Sequence, residues 1–185
     1  SQTLYVLTNQ DAPRKRLVAI DLAHPRAPWR TLIAQGADTI EAVLLAGHEF
    51  VVLTMHDAAS RISHFSQEGK PRGVIALPGL GSVPESNGAR LSGEPGDNEI
   101  FYAYTSFNTP STNYHYDLAT GKGAVFQAPA LKFKPDDYVT EEVFYTSRDG
   151  TRAPLFISYK KGLKRDAATP AYLYGYGGFN ISKPP

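Results

Sequence analysis

Near the end of the chain three glycines, Gly175, Gly177 and Gly178, surround Tyr176, and Phe179 follows directly. Glycine admits positive φ and lets the backbone approach another group with no Cβ in the way. A tyrosine held in such a turn can project its phenol into a cleft. The same string also describes an ordinary strand and turn whose aromatics pack a core, so composition alone leaves both readings open. The five histidines, His24, His48, His56, His64 and His115, are scattered, with no His-x-x-x-His or His-Glu-x-x-His spacing. None is expected to catalyse or to bind metal. No serine stands in Gly-x-Ser-x-Gly, the spacing that lifts a nucleophile onto a sharp strand-to-helix turn. Asp136-Asp137 and Glu141-Glu142 read as solvated faces or caps. Gly79-Leu80-Gly81-Ser82-Val83-Pro84 is no phosphate loop, because Pro84 replaces the needed glycine and no Lys-Ser/Thr follows.

The elements that must carry these residues are short and apolar. Thr3 to Thr8, Arg16 to Leu22 and Trp29 to Ala34 are strand-like runs separated by Pro- and Asn-rich breaks, without a helix-length amphipathic segment between them. Ile40 to Ala46, Glu49 to His56, Arg61 to Ser66 and Gly73 to Leu77 repeat the pattern. A third unit holds Ala89 to Ser92, Glu99 to Thr105, Asn113 to Leu118 and Ala124 to Gln127. The separators Gly47-His48, Asp57 to Ser60, Gln67 to Lys70 and Asn108 to Ser111 are turn chemistry. Antiparallel pairing follows. Four strands per unit and a period near forty residues suit propeller blades, although periodicity alone fits a sandwich almost as well. The first unit starts inside a blade, and fewer than three complete blades cannot close a ring of about four to eight.

A linker-like stretch, Pro129 to Asp137, separates these units from the rest. Tyr138 to Ser147 and Ala153 to Tyr159 then flank Arg148-Asp149-Gly150-Thr151, and an Asp-Gly between apolar runs signals a hairpin. Leu155, Ile157 and Tyr159 share one face. Lys160 to Thr169 reads as a surface connection, and Ala171 to Tyr174 as a buried strand leading into the glycines.

Composition bounds the class. Apolar residues make up 42% and charged residues 20% of the 185, as in a folded globular protein. Nineteen basic and eighteen acidic side chains nearly cancel, which gives no reason to expect nucleic acid as a partner. No apolar run approaches the roughly 18 residues of a membrane-spanning helix, and no membrane partner is expected. A soluble protein is expected, either cytoplasmic or periplasmic/secreted. With no cysteine, disulfides and thiolate metal sites are excluded. The first residues resemble no signal peptide, and the missing initiator Met suggests an internal piece of a longer chain.

The run Pro170-Ala171-Tyr172-Leu173-Tyr174-Gly175-Tyr176-Gly177-Gly178-Phe179-Asn180-Ile181-Ser182 resembles the strand and loop before the oxyanion region of prolyl oligopeptidase, a serine peptidase family of the α/β-hydrolase type. Val143-Phe144-Tyr145-Thr146-Ser147-Arg148-Asp149-Gly150-Thr151-Arg152-Ala153-Pro154-Leu155-Phe156-Ile157 resembles the place where that family's hydrolase domain resumes after a β-propeller. The likeness continues through Lys160-Lys161-Gly162 and, more weakly, back to the first residues. It implies a mainly β chain: late blades of a β-propeller over residues 1–135, then the first strands of an incomplete α/β-hydrolase domain over 136–185. It implies Tyr176 as an oxyanion donor and Phe179 as a wall of the pocket for the substrate's proline ring, though a loop aromatic closing a local core stays open for Phe179. The implied parent is an endopeptidase cutting short peptides on the carboxyl side of proline, with the propeller restricting access. The Ser-Asp-His triad would lie on the remaining polypeptide, and this chain alone would be inactive. No metal or organic cofactor is implied. A related oligopeptidase that cuts after basic residues is the nearest alternative, disfavoured by Gly178-Phe179-Asn180. A non-catalytic propeller-type binding module is the alternative from another class.

Overall fold

The computed structural model describes residues 2–85, 90–179 and 183–185. Its organising strand is β5 (Glu49–His56), where Phe50, Val51, Val52 and Leu53 are all buried. Side chains alternate across a strand, so a continuous apolar run means that both faces are covered. Phe50 and Val52 pack with Leu17, Ala19, Leu32, Ile33 and Ile40. Val51 and Leu53 pack on the other side with Ile62, Ile75, Val83, Ile100 and Tyr102. The two cores are the two faces of one sheet.

That sheet is a meander of β4 (Thr39–Ala46), β5, β6 (Ala59–Ser66) and β7 (Pro71–Ile75). Before it, β1 (Thr3–Thr8), β2 (Arg16–Asp21) and β3 (Arg30–Ile33) form a three-stranded sheet in chain order. After it, β8 (Leu91–Gly93), β9 (Glu99–Ser106), β10 (Thr109–Asp117) and β11 (Lys122–Gln127) form a second four-stranded meander. All pairings are antiparallel. The leading strands β4 and β8 lie against each other, as innermost strands of adjacent propeller blades do. The expected blade architecture is therefore present. The repeat is longer than forty residues, because equivalent strands begin at Thr3, Glu49 and Glu99.

A strap in the connection from β7 to β8 fastens the second blade to the third. The Ser60 N–H donates to the Gly81 carbonyl at 3.0 Å. Val83 N–H donates to the Ser60 hydroxyl at 2.9 Å. Ser82 exchanges backbone hydrogen bonds with Thr105 of β9 in both directions, at 2.9 and 3.0 Å. Ala89, part of an expected strand here, lies outside the described residues; β8 begins at Leu91.

Several strands run further into their turns than the sequence suggests. Asp57 and Ala58, with φ of 45° and 63°, form a two-residue connection between paired His56 and Ala59. Such primed turns match the twist of a hairpin, and so Ala59 and Ser60 join β6 instead of the loop. Thr109, Pro110 and Ser111, expected as turn, belong to β10. The register shifts between Thr109 and Thr112, and an irregularity of this kind tolerates a proline that cannot donate a ladder hydrogen bond. The Asp149-Gly150 hairpin forms as expected between β12 (Tyr138–Thr146) and β13 (Arg152–Lys160). Gly150 has φ of 84°, and the Asp149 carboxylate accepts the Thr151 N–H at 3.0 Å.

This hairpin follows the exposed stretch 128–134 and a short 3-10 turn at Pro135–Asp137. It is tied to the third blade by a 6.1 Å contact between the Phe107 and Phe156 rings and by a hydrogen bond from Asn108 Nδ2 to the Pro135 carbonyl. None of its strand residues is fully buried. Ala171 to Tyr174 departs from expectation: it forms no strand, and Tyr172 and Leu173 are 89% and 85% exposed. An apolar run becomes a buried strand only beside a pairing strand and beneath a second layer, and the described residues supply neither.

Candidate functional site

Tyr176 lies in irregular backbone between Gly175 and Gly177, and is 49% exposed. The Lys183 ammonium sits over its ring at 5.0 Å and over the Tyr174 ring at 5.7 Å. Tyr174 stacks in turn on Tyr172, with centroids 6.3 Å apart and planes within 11°. Phe179 has a positive φ of 56° and is 90% exposed, so it does not close a local core. Asn180 lies outside the described residues. Tyr176 and Phe179 thus share one open loop whose phenol and phenyl ring face no blade core. Beyond it, Pro185 is buried, and its carbonyl accepts a 2.6 Å hydrogen bond from the Ser82 hydroxyl of the inter-blade strap. Chemically the loop offers a phenolic donor, an apolar ring and a nearby cation. Its described residues offer no nucleophile.

The histidines belong to the blades. In the second blade His64 Nδ1 donates to Glu49 at 2.6 Å; in the third, His115 Nδ1 donates to Glu99 at 3.1 Å. Glu49 and Glu99 open the second strands β5 and β9, and each histidine sits diagonally opposite on the third strand. The two pairs are the same structural device repeated. The sequence hid it because the two spacings differ across the irregular start of β10. His56 bridges Asp38 at 2.7 Å and Asp57 at 3.5 Å, while His24 pairs with Asp21 at 2.9 Å. Among the described residues no group of three or more His, Asp or Glu side chains could hold a metal ion. Likewise, no helix among them is long and apolar enough to cross a membrane.

The strongest perturbation of an acid–base group is also structural. Burial pushes the Tyr102 phenol up to about 12, helped by neighbouring Tyr114 and Tyr116. Burial raises Tyr104 and Tyr114 too, with a hydrogen bond from Ser106 opposing the rise at Tyr104. These rings fill the core between the second and third blades and are not a reaction centre.

Comparison with known proteins adds what the open loop cannot. Residues 1–129 match the family model described as prolyl oligopeptidase, N-terminal β-propeller domain. The chain belongs to the prolyl oligopeptidase family. The prolyl endopeptidase of Elizabethkingia meningoseptica is 42% identical over 184 residues, which cover 99% of this chain and 25% of that protein. A prolyl oligopeptidase of Omphalotus olearius is 34% identical over 191 residues, covering 98% of this chain and 24% of the relative. Among solved structures, one from a study of two prolyl endopeptidases superposes with a TM-score of 0.87 at 34% identity, covering the whole chain and 27% of its counterpart. Prolyl oligopeptidase B from Galerina marginata gives 0.77 at 25% identity, covering 89% of this chain and 23% of that one. The chain thus spans about a quarter of the length of the curated prolyl oligopeptidase relatives it matches. The likeness runs past the propeller match, through the hairpin and the Tyr-Gly loop.

Proposed function

We propose that this chain supplies late blades of the propeller and the propeller-to-hydrolase junction of a serine peptidase that cleaves short peptides on the carboxyl side of proline. The observation that carries this reading is the 42% identity to a prolyl endopeptidase over 99% of the chain, which includes the Tyr176 loop. We place the junction at 135/136, where exposed chain gives way to the β12–β13 hairpin. The hairpin and the unpaired run Ala171 to Tyr174 are the opening strands of the hydrolase sheet, and the remaining hydrolase polypeptide supplies their pairing partners and second layer. The same polypeptide carries the Ser-Asp-His triad.

In acyl transfer the substrate carbonyl oxygen gains negative charge, and donors already aimed at it lower the barrier. Tyr176 is such a donor through its phenolic O–H. Phe179 presents a flat apolar ring to pyrrolidine, which has no N–H to satisfy. The propeller limits entry to short, unfolded peptides. None of these roles needs a metal or an organic cofactor.

In the complete enzyme, Tyr176→Phe is expected to lower kcat by about 100- to 1000-fold, the effect of removing one oxyanion donor. An unchanged kcat with intact folding removes Tyr176 from the site. A serine-directed fluorophosphonate probe should label the polypeptide that carries the triad and leave the 185-residue chain unlabelled. Label on this chain would overturn the division of labour.

A further inference from the structure

We propose that the β9–β10 turn is a pin that fixes the β12–β13 hairpin on the third blade, with Phe107 and Asn108 as its positioning residues. A blade does not need these side chains. In the second blade the equivalent turn, Asp57-Ala58, sits between paired His56 and Ala59 and carries neither an aromatic ring nor an amide. The third blade places Phe107-Asn108 between paired Ser106 and Thr109. Both residues reach out of the blade. The Phe107 ring meets that of Phe156 on β13 at 6.1 Å, and Asn108 Nδ2 donates to the Pro135 carbonyl at 3.1 Å.

The amide is aimed from within the blade. Ser106 Oγ donates to Asn108 Oδ1 at 2.7 Å. The oxygen and nitrogen of an amide point apart, so holding the oxygen on Ser106 leaves the nitrogen to face Pro135. Thr105 Oγ1 donates to the Thr109 carbonyl at 3.1 Å and closes the turn behind it. The receiving end is tied as well. Proline fixes φ at the first position of the 3-10 turn Pro135–Asp137. The Pro135 carbonyl also accepts the Tyr138 N–H, and the Asp137 carbonyl accepts the Lys161 N–H at 2.8 Å. This turn is therefore bound to the start of β12 and to the residue after β13, as well as to the blade. The pin stands beside the covalent link, the exposed stretch 128–134, and limits its swing. Whatever further strands join the hairpin are carried in the same orientation to the blade. A consequence for substrate rests on the proposed function: a looser joint lets propeller and hydrolase separate and admits longer peptides. The pin itself does not rest on it.

Tryptic cleavage of the complete enzyme under native conditions tests the pin without reference to activity. The Lys132–Phe133 bond lies in the exposed link, and its cut is identified by the new N-terminus at Phe133. The rate of that cut follows the population of locally opened chain when opening and closing are fast. Asn108→Asp keeps an oxygen for Ser106 but sets a carboxylate oxygen against the Pro135 carbonyl. It should speed the cut by about 3- to 10-fold, the effect of one hydrogen bond on a local opening equilibrium. Phe107→Ala should speed it too. Asp57→Asn, at the equivalent turn of the second blade, should leave it unchanged. A wild-type rate in folded Asn108→Asp overturns the pin, and so does an equal rise in Asp57→Asn. Should Asn108→Asp not fold, a wild-type rate in Phe107→Ala overturns it. Peptide size has its own readout. The ratio of kcat/KM for a long unfolded proline peptide to that for a short one should rise in Asn108→Asp. If the cut quickens and that ratio holds, the pin stands and its role in admitting peptides falls.

Discussion

Tyr102 shows what a single burial does to chemistry. Its ring stacks on Tyr114 at 5.6 Å inside the core between the second and third blades, and burial pushes its phenol up from 10.0 to about 12. The neutral phenol is the form the fold stabilises. That stability is complete below about pH 10, where the unfolded phenol is also neutral, and is lost as pH rises from 10 through 12, because the unfolded chain gives up its proton first. The urea midpoint should therefore fall as pH rises from 10 towards 12, and Tyr102→Phe, which has no phenol to ionise, should flatten that fall. An equal fall in both proteins would contradict the burial. Ser60 gives a second prediction at this scale. Its buried hydroxyl accepts the Val83 N–H, so Ser60→Ala leaves that donor unpaired and should cost about 1–3 kcal/mol in urea unfolding. Individual residues were unevenly legible in the sequence. Tyr176 and Phe179 stood out because glycines punctuate a local string. Asn108 read only as turn, because its partner lies 27 residues away, and no local pattern announces a contact between blade and hairpin.

At the scale of elements, the turns decide how much could be read in advance. Strand centres were legible from their apolar runs, since β5 and β9 need side chains for both faces. Strand ends were not, because Asp57-Ala58 turns the chain in two residues without a glycine, and Pro110 sits at a register shift instead of in a loop. Ala171 to Tyr174 misled for a different reason: pairing is a property of the neighbour as much as of the run. Two turn positions should respond to substitution with opposite signs. Gly69 has φ of 83°, and a Cβ there would collide with the Leu32 carbonyl of the first blade. Gly69→Ala should cost at least about 1 kcal/mol. Ala58 already carries a side chain at φ of 63°, and Ala58→Gly should gain up to about 1 kcal/mol by relieving left-handed strain. Shifts of the urea midpoint in the same direction would contradict both assignments.

For the whole molecule, the shared strand β5 matters more than the number of blades. Phe50 and Val52 close the core towards the first blade, while Val51 and Leu53 close the one towards the third. Removing β5 from either core removes it from both, so the blades should unfold as one cooperative unit despite their repetitive architecture. Phe50→Ala should cost about 3–5 kcal/mol and Leu53→Ala about 2–5 kcal/mol, through lost burial and the cavity left behind. The informative result is where each loss is felt. Trp29, beside β3, reports the first blade by fluorescence, and the Tyr102–Tyr114 stack reports the third by near-ultraviolet circular dichroism. Either substitution should lower both midpoints together, even though Phe50 belongs to the core far from the tyrosines. If Phe50→Ala shifts the Trp29 transition and leaves the tyrosine signal at its original midpoint, the blades are independent units, and β5 does not couple them.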